Sequence, residues 1–235
     1  MSAWKAKRFW KTASAEPCEG GFGVRLDGRA VKTPAKAPFV LPTLTMAQAA
    51  AAEWDAQTGA IRPETMPVTR AANSAIDKLS AQFDEVVALI AAYGDSDLLC
   101  YRATGPEPLV ARQAAAWDPL LDWAAASHGI RLQATAGVMH ITQPEDSLRR
   151  IHDLTAAFSR FQLAAFHDLV AITGSWVLGF ATAQGRLSAD EAFALSRIDE
   201  TWQAELWGVD EDAAAMEAAR LQALTEAARF HTLCG

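Results

Sequence analysis

Imidazole carries protons and binds metals, so His128, His140, His152, His167 and His231 are the first residues to weigh for chemistry. Their spacing contains no His-Glu-x-x-His or other metal-ligand pattern. His167 and Asp168 adjoin in a helical stretch, where successive side chains diverge by about 100°, so this pair alone is not expected to converge on one metal. Cys18, Cys100 and Cys234 are odd in number and far apart. Without a Cys-x-x-Cys they suggest neither a disulfide framework nor a zinc site, and they fit a reducing compartment.

Gly20-Gly21-Phe22-Gly23 has the composition of a phosphate loop but leads into a strand, whereas such a loop needs a helix N-terminus behind it; a turn is expected. Gly174-Ser175-Trp176 lacks the Gly-x-Ser-x-Gly nucleophile elbow. No catalytic residue, cofactor or metal is therefore expected, and the chain is read as a binding protein and not as an enzyme.

The densest acidic group is Asp199, Glu200 and Glu205. On a helix, Leu195, Ile198, Trp202 and Leu206 form an apolar stripe that Asp199 and Glu205 flank on opposite sides. Glu200, Gln203 and Trp207 share a different face. A large ring beside a carboxylate and an amide suits a recognition surface, giving contact area together with polar registration. Asp199, Glu200, Gln203, Glu205 and Trp207 are accordingly the candidate partner-binding residues, although the pattern also permits Trp207 to pack on the next helix.

The elements that position them follow from punctuation and periodicity. Val24-Arg25-Leu26 and Ala30-Val31-Lys32 flank Asp27-Gly28 and Arg29; the Asp-Gly pair suits a type I′ turn and sets Val24 opposite Val31. Pro34, Pro38 and Pro42 keep the following strand short or at an edge, so a small antiparallel β-unit is expected over about residues 7–41. Beyond it, Thr45 with Gln48 reads as a capping box opening a helix, with Trp54 as the main anchor and Gly59 as the stop. Further helices are predicted over 67–94, 108–128, 145–158, 162–184, 188–206 and 211–231, with Ser188 and Glu191 as a second capping box. Residues 97–102 read as a short strand or link, and 130–141 as a weak strand. The fold class is thus α+β: a β-rich domain over residues 1–60 and a larger, mainly α-helical domain over 61–235.

Composition closes off other classes. The chain has 235 residues, 51% of them hydrophobic, and a formal charge of −7. Core material is ample, and a nucleic-acid groove would have to be strictly local. One basic cluster, Lys5, Lys7, Arg8 and Lys11 among Trp4, Phe9 and Trp10, suits a phosphate or headgroup but reads first as a solvated arm. Residues 163–183 are the most apolar stretch, yet His167, Asp168, Thr173, Gly174 and Ser175 interrupt them, so no membrane insertion is expected. The N-terminus has neither a secretory h-region nor the length of a transit peptide ahead of Trp10. A cytoplasmic monomer is expected.

Seven motifs occur in order: Arg8-Phe9-Trp10-Lys11; Leu26-Asp27-Gly28-Arg29 with Lys32-Thr33-Pro34; Ala52-Glu53-Trp54-Asp55-Ala56-Gln57; Met66-Pro67-Val68-Thr69-Arg70; Asp97-Leu98-Leu99-Cys100-Tyr101-Arg102; Trp117-Asp118-Pro119-Leu120-Leu121; and the run from Asp199 through Glu200, Trp202 and Trp207 to Gly208. Together, over about residues 8–230, they resemble the assembly chaperones of the ATP synthase catalytic sector that handle its α subunit. The resemblance implies a two-domain α+β chaperone without catalytic activity. It would bind the unassembled α subunit, shield the surface that later meets β, and be of the bacterial, cytoplasmic form. It would make its contact around Glu200 and Trp207, with Trp54, Asp27 and Gly28 supporting the fold; Trp54→Arg is then expected to cost about 3 to 5 kcal/mol. Trp176 departs from the family, being larger than the small-residue surroundings associated with its helix. Two other readings are kept open: a small-metabolite enzyme drawing on Arg70, Asp97, Arg102 and Glu200 from separate elements, and a permanent structural subunit of a complex.

Overall fold

The computed structural model describes residues 7–208 and 210–235. Trp4 and Lys5 of the basic cluster lie outside them. The chain forms two compact units: one runs to Phe83 and takes in Arg160–Ala165 and Arg229–Gly235, and the other comprises Asp84–Ser159 and Phe166–Ala228. This division differs from a single join at residue 60, because the helix over Pro67–Asp77 packs with the N-terminal elements and two later segments return to them.

The first unit is built on strands β1 (Ala13–Cys18), β2 (Gly21–Leu26), β3 (Arg29–Ala30) and β4 (Val40–Leu41), all antiparallel, with β2 pairing to the other three. The Asp27-Gly28 turn forms as expected, with φ of 47° and 80°, and the Val31 N–H donates to the Val24 carbonyl at 2.9 Å. Asp27 does more than turn the chain. Its carboxylate accepts the backbone N–H groups of Thr12 and Lys11 at 3.0 and 3.1 Å, which ties the start of β1 to the hairpin. Those bonds, Thr12 first, hold its carboxyl below the ordinary range. Glu19 and Gly20 make the β1–β2 turn, and a Cβ on Gly21, the first residue of β2, would collide with the Leu41 carbonyl oxygen.

Helix α1 (Leu44–Asp55) lies on this sheet through Met46, Ala47, Ala50 and Ala51, whose small side chains let it approach closely. Its cap is Thr43, not Thr45: the Thr43 hydroxyl accepts from Met46 N at 3.2 Å and donates to the Leu233 carbonyl at 2.6 Å. The main aromatic anchor is Trp10, 3% exposed, with the half-buried Trp54 edge-on to it at 5.3 Å. Arg8 lies over the Trp10 ring and donates to the carbonyls of Asp55 and Gln57 at the end of α1, so this member of the basic cluster serves the fold.

The motifs around Glu53 and Pro67 meet physically. Glu53 accepts the N–H groups of Val68 and Thr69 at 2.7 and 2.8 Å and the Thr69 hydroxyl at 2.7 Å, capping helix α2 (Pro67–Asp77) from a neighbouring helix. Burial pushes the Glu53 carboxyl up, and these donors pull it part of the way back. The expected single helix over 67–94 is broken at Lys78, after which α3 (Leu79–Ala91) begins. The Ser80 hydroxyl, at 2.8 Å, satisfies the Ile76 carbonyl left over at the break.

The second unit contains β5 (Tyr101–Arg102) and β6 (Thr135–Ala136), a short parallel pair. Helix α4 (Glu107–His128) ends on Gly129 at φ 71°, as expected. It is followed by α5 (Glu145–Ala156), α6 (Arg160–Thr173), α7 (Trp176–Ala183), α8 (Ala189–Ser196), α9 (Ile198–Trp207) and α10 (Glu211–Leu233). The helix expected over 162–184 is two, because Gly174 turns at φ 70° and Ser175 caps α7. Trp176 sits in aromatic company: its ring stacks on Phe180 at 4.5 Å, and its indole N–H donates to Thr155 Oγ1 at 2.9 Å. Gly179 supplies the small position on that helix, since a Cβ there would press on Val170. Among the described residues no helix is long and apolar enough to cross a membrane.

Candidate functional site

The helix expected over 188–206 is also two, α8 and α9, with Arg197 non-helical between them. The Ser188/Glu191 capping box forms at the start of α8. The Ser196 hydroxyl donates to the Phe193 carbonyl at 2.7 Å and so closes α8, allowing α9 to leave in its own direction.

One side of α9 is spent on α4. Arg112 donates from both terminal nitrogens to Glu205 at 2.9 Å each, and its guanidinium lies 4.9 Å from the centre of the Trp202 ring. Gln113, 1% exposed, donates to Asp199 at 2.6 Å while its carbonyl oxygen accepts from Ala103 N at 2.8 Å. The Trp117 indole donates to the Leu195 carbonyl at 2.9 Å. Arg112 holds the Glu205 carboxyl below its ordinary range, and Glu205 in turn raises Arg112. Asp199 and Glu205 thus flank the Trp202 stripe, and each reaches a neighbouring residue of α4.

The other side faces solvent. Glu200, Gln203 and Trp207 are exposed, Trp207 by 78%. Leu206, expected in the apolar stripe, is 58% exposed and stands at the surface with Trp207 at the last turn of α9. Met216 of α10 is also open, at 64%. Glu200 is paired with Arg197, whose side chain packs over the Phe193 ring.

The five candidate residues therefore divide. Asp199 and Glu205 fix the helix, while Glu200, Gln203 and Trp207 are presented by it. Sequence reasoning missed Arg112, Gln113, Arg197 and Met216. Arg112 and Gln113 carry no local signal, since they act across 93 and 86 positions, whereas Arg197 acts on its near neighbours Phe193 and Glu200.

Beside α9 lies an open pocket of about 310 Å³, lined by residues that include Leu98, Trp117, Thr173, Arg197, Glu200 and Arg220. Asp97 adjoins this lining and is fully buried, its two oxygens accepting from Leu99 N and Val177 N at 3.0 Å each. Burial raises its carboxyl to about 6. Arg102 is committed to the Leu99 carbonyl at 2.7 Å and to Asp118 at 2.8 Å. Arg70 belongs to α2 in the first unit. Of the residues considered for an enzyme, Asp97 and Arg102 are engaged in holding the second unit together. His167 and Asp168, expected to diverge, meet at 2.9 Å as a local pair, which raises the imidazole. Among the described residues no group of three or more His, Cys, Asp or Glu side chains is placed to hold a metal ion.

Four similarities to known proteins bear on this arrangement. A family model described as ATP12 chaperone protein matches residues 7–125. The chain is 28% identical over 221 residues to "Protein atp12, mitochondrial" of Schizosaccharomyces pombe, covering 88% of this chain and 75% of that one. It is 48% identical to Atp12 of Paracoccus denitrificans, whose crystal structure superimposes with a TM-score of 0.96 over 99% of this chain and 100% of that one. A candidate chaperone from Agrobacterium tumefaciens is 41% identical, with a TM-score of 0.93 over 97% of this chain and 86% of the other.

Proposed function

The chain belongs to the ATP12 chaperone family, chaperones of ATP synthase assembly, and we propose that it holds the unassembled α subunit and covers the surface that later meets β. The contact is the solvent face of α9, with Glu200, Gln203, Leu206 and Trp207. On this reading the chain acts by binding alone, as a cytoplasmic monomer, without cofactor or turnover.

The observation that carries the proposal is the exposure of Leu206 and Trp207 at the end of a helix whose opposite face is pinned to α4. Large apolar side chains held in water by a rigid scaffold are the usual mark of a protein-binding surface, and an unfinished subunit offers interface patches of matching character. Glu200 supplies polar register beside the ring.

Purified α subunit tests this directly. The parent chain is expected to bind it and suppress its aggregation; Trp207→Ala and Glu200→Lys are expected to weaken binding by about tenfold or more with unchanged circular dichroism, on the scale of an interface hot spot. Undiminished affinity in both variants would remove α9 from the interface. A chaperone should also be absent from the finished enzyme, so stoichiometric presence there would favour a structural subunit.

A further inference from the structure

Strand β1 pairs with β2 along one edge only, and the register fixes which of its main-chain groups remain. Asp27 N donates to the Thr12 carbonyl at 3.1 Å, and in an antiparallel ladder the residues bonded to the neighbour alternate. Ser14, Glu16 and Cys18 therefore bond to β2, while Ala13, Ala15 and Pro17 turn their backbone groups the other way. None of these outward groups has a hydrogen-bond partner among the described residues. The usual guards of an edge are sparse here. Pro17 removes a donor at one end only, and Glu16, the single charged residue of β1, is drawn to Arg25 of β2 at 2.7 Å. Ala13 and Ala15 carry nothing larger than a methyl group, so an approaching backbone meets no obstacle there.

We propose that the outer edge of β1 takes an extended segment of a partner protein as a further antiparallel strand. The row itself selects the occupant: alternating N–H and C=O groups along an edge are matched by another extended backbone, and by neither a lipid surface nor a nucleic acid. Ala13 and Ala15 lie opposite the buried Leu26 and Val24, so the incoming residues that face them fall on the core side of the sheet and are apolar. Lys11 and Glu19 stand exposed just outside the two ends of β1, and neither is in an ion pair among the described residues. An antiparallel segment with a basic residue near its start and an acidic one near its end therefore meets Glu19 and Lys11 in turn. A second copy of the chain fits less well. Paired about Ala15, it sets Pro17 of each copy against Ala13 of the other, and both Ala13 carbonyls then lack a donor. This edge belongs to the first unit, and the proposal does not depend on α9.

The test uses the full chain and a synthetic peptide of alternating valine and threonine, with arginine at its N-terminus and aspartate at its C-terminus. Binding, read by fluorescence anisotropy, is expected to slow hydrogen exchange at the Ala13 and Ala15 amides and to leave those of Ser14 and Glu16, already bonded to β2, unchanged. Ala15→Pro removes an outward donor without touching the β2 ladder, and it should weaken binding by about tenfold. Methylating the peptide nitrogen that faces Ala15 should weaken it by about as much, with the protein unaltered. Exchanging the peptide's two charged ends should cost about threefold, restored by Lys11→Glu with Glu19→Lys. A methylated peptide that binds as tightly as the parent peptide, or unchanged exchange at Ala13 and Ala15 when peptide is bound, would overturn the proposal. Protection of those two amides that grows with the concentration of the chain alone would give the edge to a second copy and remove the partner segment.

Discussion

The Asp97 carboxylate accepts the backbone N–H of Val177 at 3.0 Å across 80 positions of sequence. With its other oxygen on Leu99 N, it joins the 3-10 turn Leu98–Cys100 to the first turn of α7, the most deeply buried helix of the second unit. A carboxylate at the start of a helix is well placed electrostatically, but complete burial prevails and lifts the carboxyl from 3.8 to about 6.

The raised value has a pH signature. The folded chain takes up the Asp97 proton more readily than the unfolded one, so the group favours folding below about pH 4 and loses that contribution as pH rises to about 6. A shift of this size corresponds to about 3 kcal/mol. In Asp97→Asn the stability difference between pH 4 and pH 7 should change by about that amount, becoming more favourable to the neutral end. Urea unfolding at successive pH values measures it; parallel curves for parent and variant would show that Asp97 does not titrate in this way.

Trp10 and Trp54 should differ in weight. Trp10 is 3% exposed and fills the junction of sheet and α1, so Trp10→Ala is expected to cost about 3 to 5 kcal/mol. Trp54 keeps part of its ring in water, and Trp54→Ala should cost about 2 kcal/mol, the lower end of a buried side chain's worth. Denaturant midpoints at constant slope decide it. Equal losses would mean that the two rings behave as one unit.

Two glycines of the N-terminal sheet provide a contrast between strain and collision. Gly28, at φ 80°, has open space where a Cβ would stand, so Gly28→Ala should cost about 1 kcal/mol of left-handed strain. At Gly21 the Leu41 carbonyl blocks the same addition. Because that oxygen sits in a paired strand and cannot give way easily, Gly21→Ala should cost about 3 kcal/mol. A reversal of this order by thermal unfolding would contradict the packing of β2 on β4.

Local chemistry made much of the fold legible. Asp27-Gly28, Gly129 and the Ser188/Glu191 box each act within a few residues, and each forms as its residue types dictate. The breaks at Lys78, Ser175 and Arg197 were harder to read. Apolar periodicity resumes on either side of each, and at 174–175 it outweighed the local signal of a glycine and a capping serine. Glu53 as the cap of α2 was hidden, since the carboxylate and the amides it satisfies are 15 and 16 positions apart. At the site, the helix and its acidic residues could be read from sequence, but which carboxylates turn inward depended on Arg112 and Gln113, 93 and 86 positions away.

Leaving Leu206 and Trp207 in water raises a colloidal question, because the side chains proposed to hold a client are equally able to adhere to another copy of the chain. A formal charge of −7 on 235 residues answers it at long range. Identical molecules carry a long-range repulsion, while a partner of opposite charge meets no such barrier. That repulsion belongs to the whole molecule, and it weakens as added salt screens it.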